Sequence, residues 1–140
     1  MSNAKLVLWF SAVLAVSLAS RWRVFHANAE RCALDGQRIV PIYRIDLMQD
    51  GERSARFCSI RCAIEWPAAP ADAEWRVRDE VTGSVLDATK ACYVLSDVVT
   101  IPARQERRHA FKNWADAHAH LAEFDGERIS SPFAPAPQEP

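Results

Sequence analysis

At 140 residues and 15.7 kDa the chain has room for one domain and an appendage. Seventeen Lys and Arg against eighteen Asp and Glu leave a net charge of -1, and without a basic excess nucleic acid is not an expected partner. The chain carries no Gly-rich phosphate loop, no Ser/His/Asp arrangement and no carboxylate pair in a recognisable setting, so no enzyme class is expected.

The first element in chain order is an apolar run. Residues 6–20 form a stretch of fifteen without a charge, preceded by Lys5 and followed by Arg21-Trp22-Arg23. Fifteen is long for the apolar region of a signal peptide, and a bilayer span needs about 17 or more. Trp22, Val24 and Phe25 can extend the run into the membrane interface while Arg21 and Arg23 snorkel. Residues 1–28 are therefore expected to form one N-terminal membrane helix, a signal-anchor. Ala27-Asn28-Ala29 has the small-x-small form of a cleavage site, but two arginines stand between it and the apolar run. No cysteine follows the run to take a lipid, so an uncleaved anchor is expected. Arg21, Arg23, Arg31 and Arg38 favour an inside location under the charge rule, against the outward address that a signal-like N-terminus implies.

Residues 29–129 carry the pattern of a small α+β domain. Residues 39–47 alternate β-branched and polar positions and are expected to form a strand, with Pro41 marking an edge or bulge. Residues 49–52 turn the chain and residues 53–57 return as the second strand of a hairpin. Residues 59–68 read as a short helix stopped by Pro67 and Pro70. Further strands are expected over residues 75–81, 84–86, 91–95 and 127–129, with a helix over 114–124 capped by Asn113 and ended by Gly126. The expected assembly is one mixed or antiparallel sheet with two packed helices. Residues 130–140 hold four of the eight prolines and are expected to be a disordered tail.

Two half-sites carry the chemistry. Cys32-Ala-Leu-Asp35-Gly36 makes a tight turn that can aim both side chains into one pocket, with Gly36 free to take a positive φ. Twenty-two residues later come Cys58 and Cys62, four apart at a helix start, where they share a face. The helix N-terminus is expected to lower the thiol pKa values. Three thiolates and a carboxylate suit Zn(II) or Fe(II), and thiolates alone suit Cu(I). If Cys32, Cys58 and Cys62 share an ion, their sulfurs should lie about 3.5–4 Å apart. The same residues are open to two plainer readings: buried core thiols, and a redox or disulfide pair of Cys58 and Cys62.

Other polar residues have plainer expected roles. Asp79, Glu80 and Asp87 could orient a metal ligand but at a sheet margin are read as solvated or turn-forming, His109 as a structural residue at a strand start, and Cys92 as a buried thiol. His118 and His120, two apart on a helix, point to different faces and cannot chelate together.

The run Val77-Arg-Asp-Glu-Val-Thr-Gly-Ser-Val-Leu-Asp-Ala-Thr-Lys-Ala-Cys-Tyr-Val-Leu-Ser-Asp97 resembles the central block of the NosL family. The order of the Cys32 turn, strand pair, Cys58–Cys62 helix start, His109-Ala-Phe111, helix and Gly126 follows the same family over about residues 30–130. The paired-cysteine layout is also similar to the TRASH-type metal knuckle. The resemblance implies a membrane-attached copper-binding accessory protein of nitrous-oxide reductase assembly, working from the inner membrane with its domain in the periplasm. Cu(I) is the ion it implies, while the ligand set Cys32, Asp35, Cys58 and Cys62 equally admits Zn(II). A recipient metalloprotein or membrane complex is the implied partner. The family opens C-x-x-C-G-M, whereas this chain reads Cys32-Ala-Leu-Asp35-Gly36-Gln37, with Ala63 where a methionine is frequent. Cys58 adds a thiolate where the family often has none. The expected function is metal delivery; the alternatives are a structural zinc knuckle that docks a membrane partner, and a thiol redox protein.

Overall fold

A computed structural model describes residues 11–21 and 30–134. Residues 11–21 are a helix, α1, within a unit spanning Met1–Glu30 that is distinct from the unit Arg31–Pro140. Leu14, Val16 and Leu18 on α1 are more than 60% exposed. The first part of the expected span, residues 6–10, and its arginine flank from residue 22 lie outside the described residues. Among those described, no helix is long and apolar enough to cross a membrane.

The second unit contains two antiparallel sheets, which corrects the expectation of one. β1 (Ile45–Gln49), β2 (Glu52–Phe57), β3 (Glu74–Arg78) and β4 (Val85–Asp87) form a four-stranded sheet in the order β2-β1-β3-β4. β5 (Cys92–Ser96), β6 (Arg108–Phe111) and β7 (Gly126–Ile129) form a second sheet, ordered β6-β5-β7. The helix α2 (Ile60–Ile64) follows β2, and α3 (Trp114–Glu123) packs on β5 and β6. Alternation along a strand fixes which side chains share a face but carries no record of which strands pair, so the division was invisible in the sequence.

Pro41 also alters the first strand. Residues 39–44 are not extended pairing partners; Pro41–Tyr43 form a 3-10 turn and β1 begins at Ile45. The reason is that β1 is bonded on both sides, to β2 and β3, and a proline cannot donate to such a ladder. The β1–β2 hairpin closes through Asp50 and Gly51, whose φ values of 51° and 80° match the type I′ turn that Asp-Gly favours.

The main core lies beneath the four-stranded sheet. Phe57 is fully buried between Trp66 and Trp75, at ring-centroid distances of 5.4 and 5.7 Å. Tyr93 from β5 joins this core and donates its hydroxyl to the Ala88 carbonyl at 2.7 Å. The expectation of a disordered tail from residue 130 is corrected over its first residues. Ser131 donates to the Ala88 carbonyl at 2.8 Å, and Phe133 packs its tilted ring against Trp75 at 5.3 Å, because Trp75 and Tyr93 leave an apolar edge to cover. Residues 135–140 lie outside the described residues.

Gly126 does not end α3 as a left-handed cap. It opens β7, where a Cβ would stand 2.3 Å from the Leu95 carbonyl oxygen and 2.8 Å from the Ser96 Cα. Only glycine lets β7 approach β5 that closely.

Candidate metal centre

Cys32 and Asp35 stand on a knuckle of residues 31–38. Its ends are joined by the Arg31–Arg38 bridge, and Cys32 N–H donates to the Gln37 carbonyl at 2.8 Å. Gly36 takes φ +69° and donates to the Cys32 carbonyl at 2.9 Å, so the expected glycine turn is present. Ala33 N–H reaches the Arg56 carbonyl at 2.9 Å, which holds the knuckle against the end of β2. Cys58 follows that strand end directly. Ser59 caps α2 by accepting the Cys62 N–H at 3.1 Å, and this sets Cys62 one turn inside the helix.

These pieces bring all four expected residues together. The ligand atoms of Cys32, Asp35, Cys58 and Cys62 lie within 4.8 Å of one another. Cys58 Sγ and Cys62 Sγ are 3.5 Å apart, and Asp35 Oδ2 is 3.4 Å from Cys62 Sγ and 3.8 Å from Cys58 Sγ. Tetrahedral bonds of about 2.3 Å to sulfur and 2.0–2.2 Å to oxygen require edges of about 3.5–3.8 Å, so the donor set fits an ion of that size. The three sulfurs are buried, and the Asp35 side chain, 20% exposed, borders solvent. All four cysteines are free thiols.

The electrostatics depart from the expected thiol acidity. Burial pushes the Cys58 thiol well up, reinforced by the neighbouring Cys62 and Cys32 sulfurs. Burial also raises Cys62, although Ser59, Cys58 and Arg104 oppose it through hydrogen bonds. The expected lowering fails because α2 has only five residues and Cys58 precedes it, so desolvation outweighs the helix end. Burial pushes the Asp35 carboxyl up too, but the Gln37 N–H, the Cys32 and Cys62 thiols and the Arg104 guanidinium together hold it below the usual range. Burial thus favours the protonated thiol at Cys58 and Cys62, and a metal ion must displace those protons to bind.

The course of the chain has a counterpart among solved structures. The copper chaperone NosL from Shewanella denitrificans matches it with a TM-score of 0.59, over 78% of this chain and 92% of that chain, at 18% identity. The fold is NosL-like. No protein-family model and no curated protein matches the sequence. The NosL-like fold thus carries an oxygen donor, Asp35, among three thiols.

Arg104 was not legible as a site residue. It ends the 3-10 turn Pro102–Arg104, and its Nε lies 2.9 Å from Asp35 Oδ2 and 3.1 Å from Cys62 Sγ. Forty-two residues separate it from Cys62, and nothing in its surroundings distinguishes it from the neighbouring arginines at 107 and 108.

The remaining polar candidates form a second cluster. His109 is fully buried, with Nδ1 2.8 Å from Glu80 Oε2 and Nε2 3.0 Å from Ser96 Oγ and 3.1 Å from the Val98 carbonyl. Both ring nitrogens face acceptors, the arrangement of an imidazolium. His120 Nε2 meets the same Ser96 Oγ at 2.9 Å. His118 instead lies against Trp114, its ring tilted by 31° at a centroid distance of 6.0 Å, so the two helix histidines do point apart. Asp79 is turn-forming, as expected, and fully buried: it accepts from Thr82 and from the Lys112 N–H, and its carbonyl accepts the Gly83 N–H at 2.7 Å. Glu80 instead is an ion-pair partner of His109, which corrects its solvated reading. Asp87 is turn-forming, accepting from Thr89 at 2.7 Å. Cys92 is buried as expected.

Proposed function

We propose that this protein is a membrane-anchored metal-binding accessory protein that holds a thiophilic ion, Cu(I), and passes it to a recipient metalloprotein or membrane complex. The observation that carries the reading is the convergence of Cys32, Asp35, Cys58 and Cys62 at one edge of a NosL-like fold. The Asp35 carboxylate, which borders solvent, gives an ion a path to buried sulfur without disturbing the core. Anchoring through residues 6–20, in the inner membrane with the domain in the periplasm, is part of the same proposal. Its support is the uncharged run and the exposed leucines and valines of α1. When bound, the ion is cargo; the thiols lose their protons to solvent as they take it, hold it as thiolates and pass it on.

A second reading, a structural zinc knuckle, is favoured by one feature. The four donors join three separate pieces of chain, the knuckle, the end of β2 and α2, so an ion there would also staple the fold. The third, a redox pair of Cys58 and Cys62, draws on their 3.5 Å sulfur separation.

One experiment separates the three. The full chain is purified in detergent without oxygen, its metal content measured, and a competing chelator added while near-UV circular dichroism reports tertiary structure. Delivery predicts one equivalent of ion that leaves with the fold intact. Loss of structure on removal identifies the zinc knuckle, and a chain that binds no ion tightly but forms a Cys58–Cys62 disulfide identifies the redox pair.

A further inference from the structure

The carboxylate oxygen best placed to ligate an ion is already engaged. Asp35 Oδ2 is the oxygen nearest both helix-start sulfurs, and it is the one that Arg104 Nε contacts at 2.9 Å. The other oxygen, Oδ1, accepts the Gln37 N–H at 3.0 Å and lies farther off, 3.9 Å from Cys58 Sγ. Arg104 is itself held firmly. Its Nη2 faces Glu65 at 3.7 Å, and its carbonyl accepts from Arg61 at 2.9 Å. The next residue, Gln105, takes a left-handed φ of 50°. Beyond it, buried Glu106 accepts the backbone N–H groups of Arg61, Arg107 and Arg108 at 2.7, 3.1 and 3.1 Å. A turn pinned on both sides of Arg104 keeps the guanidinium over the cluster.

We infer that Arg104 is a specificity-determining residue: its Nε–H holds Asp35 Oδ2, which stands at ligand spacing from Cys58 and Cys62, and by competing with an ion for that oxygen it leaves a three-sulfur site that prefers Cu(I) over Zn(II). The inference rests on the metal-site reading proposed above. Three thiolates alone satisfy a soft monovalent ion, whereas Zn(II) gains more from a fourth, oxygen ligand. The fixed positive charge acts in the same sense, since its repulsion of a divalent ion is twice that of a monovalent one at the same distance. Asp35, which looks like a hard ligand replacing a soft one, thus serves as the counter-ion of Arg104.

The test compares the full chain in detergent with Arg104→Gln, Asp35→Asn and the double variant. Zn(II) and Cu(I) affinities are each measured against a chromophoric chelator. Arg104→Gln is expected to lower the Cu(I)-to-Zn(II) affinity ratio by about tenfold or more, and Asp35→Asn in that background to restore most of it. Asp35→Asn alone should leave the ligand-field spectrum of the Co(II)-loaded protein unchanged, a readout that needs no Arg104 variant to fold. A ratio unmoved by Arg104→Gln, an equal fall without the carboxylate, or a Co(II) spectrum altered by Asp35→Asn each overturns the assignment of Arg104. Those results leave the metal site standing; a wild-type chain that binds neither ion overturns both.

Discussion

The thiol cluster at the knuckle and the histidine cluster under α3 are both buried groups of ionisable side chains, yet their atoms stand at different spacings. Around Asp35, Cys58 and Cys62 the donor atoms lie 3.4–3.9 Å apart. Around Glu80, His109, Ser96 and His120 the polar atoms lie 2.8–3.0 Å apart. The shorter spacing is that of a shared proton, with a donor opposite each acceptor. The longer one matches the edges of a coordination shell, formed almost wholly by acceptors once the thiols ionise. A cluster whose members satisfy one another holds the fold together; a cluster of like donors needs an outside cation. Arg104 supplies part of that charge at the knuckle.

Removing a sulfur has the largest expected effect. Cys58→Ser and Cys62→Ser are each expected to weaken metal binding about a thousandfold, since a three-sulfur site worth about 10–16 kcal/mol gives about 3–5 kcal/mol per ligand. Chelator competition measures it, and a loss under tenfold would remove that cysteine from the site. His109→Ala is the matching cut in the other cluster. It leaves the Glu80 carboxylate without its partner and should cost about 2–4 kcal/mol in urea unfolding, while metal affinity stays within about threefold. A large fall in metal affinity would show that the clusters are not independent.

The pH dependence sharpens the contrast. Burial pushes His109 down, but the Glu80 carboxylate outweighs it and raises the pKa above the ordinary 6.5. A raised histidine contributes stability that is full below the unfolded value and is lost as pH rises through the folded one. The difference in melting temperature between wild type and Glu80→Gln should therefore be largest at pH 6 and shrink on the alkaline side. A difference that grows with pH would refute the ion pair. Burial and the nearby His109 charge lower His120, so protonating it opposes folding in acid, and His120→Gln should flatten the acid limb of the stability curve. The smallest effect is expected at Asp35. Asp35→Ala should change Cu(I) affinity by about threefold or less, far below any cysteine change, because its oxygen is held by Arg104.

Much of the site could be read in the residues. Cys32, Asp35, Cys58 and Cys62 were legible because turn chemistry and helix spacing are local: Gly36 permits the knuckle, and Ser59 places Cys62 relative to Cys58. The α3 helix was legible for the same reason, with Asn113 accepting the Asp116 N–H at 2.9 Å. The Pro41 turn was only half legible, since a proline signals an interruption but not that β1 would be bonded on both sides.

The amino-acid order by itself thus determined the α+β class, the two half-sites and the NosL-like succession of elements, all of which rest on patterns a few residues long. The division into two sheets, the upward push of burial on the Cys58 and Cys62 thiols and the pairing of Glu80 with His109 came only from the tertiary structure. So did the presence of Arg104 over Asp35. Each depends on contacts between residues far apart in the chain, 29 positions for Glu80 and His109 and 42 for Cys62 and Arg104. Local periodicity carries no information at that range; burial and the closing of the strands onto one another decide what meets there.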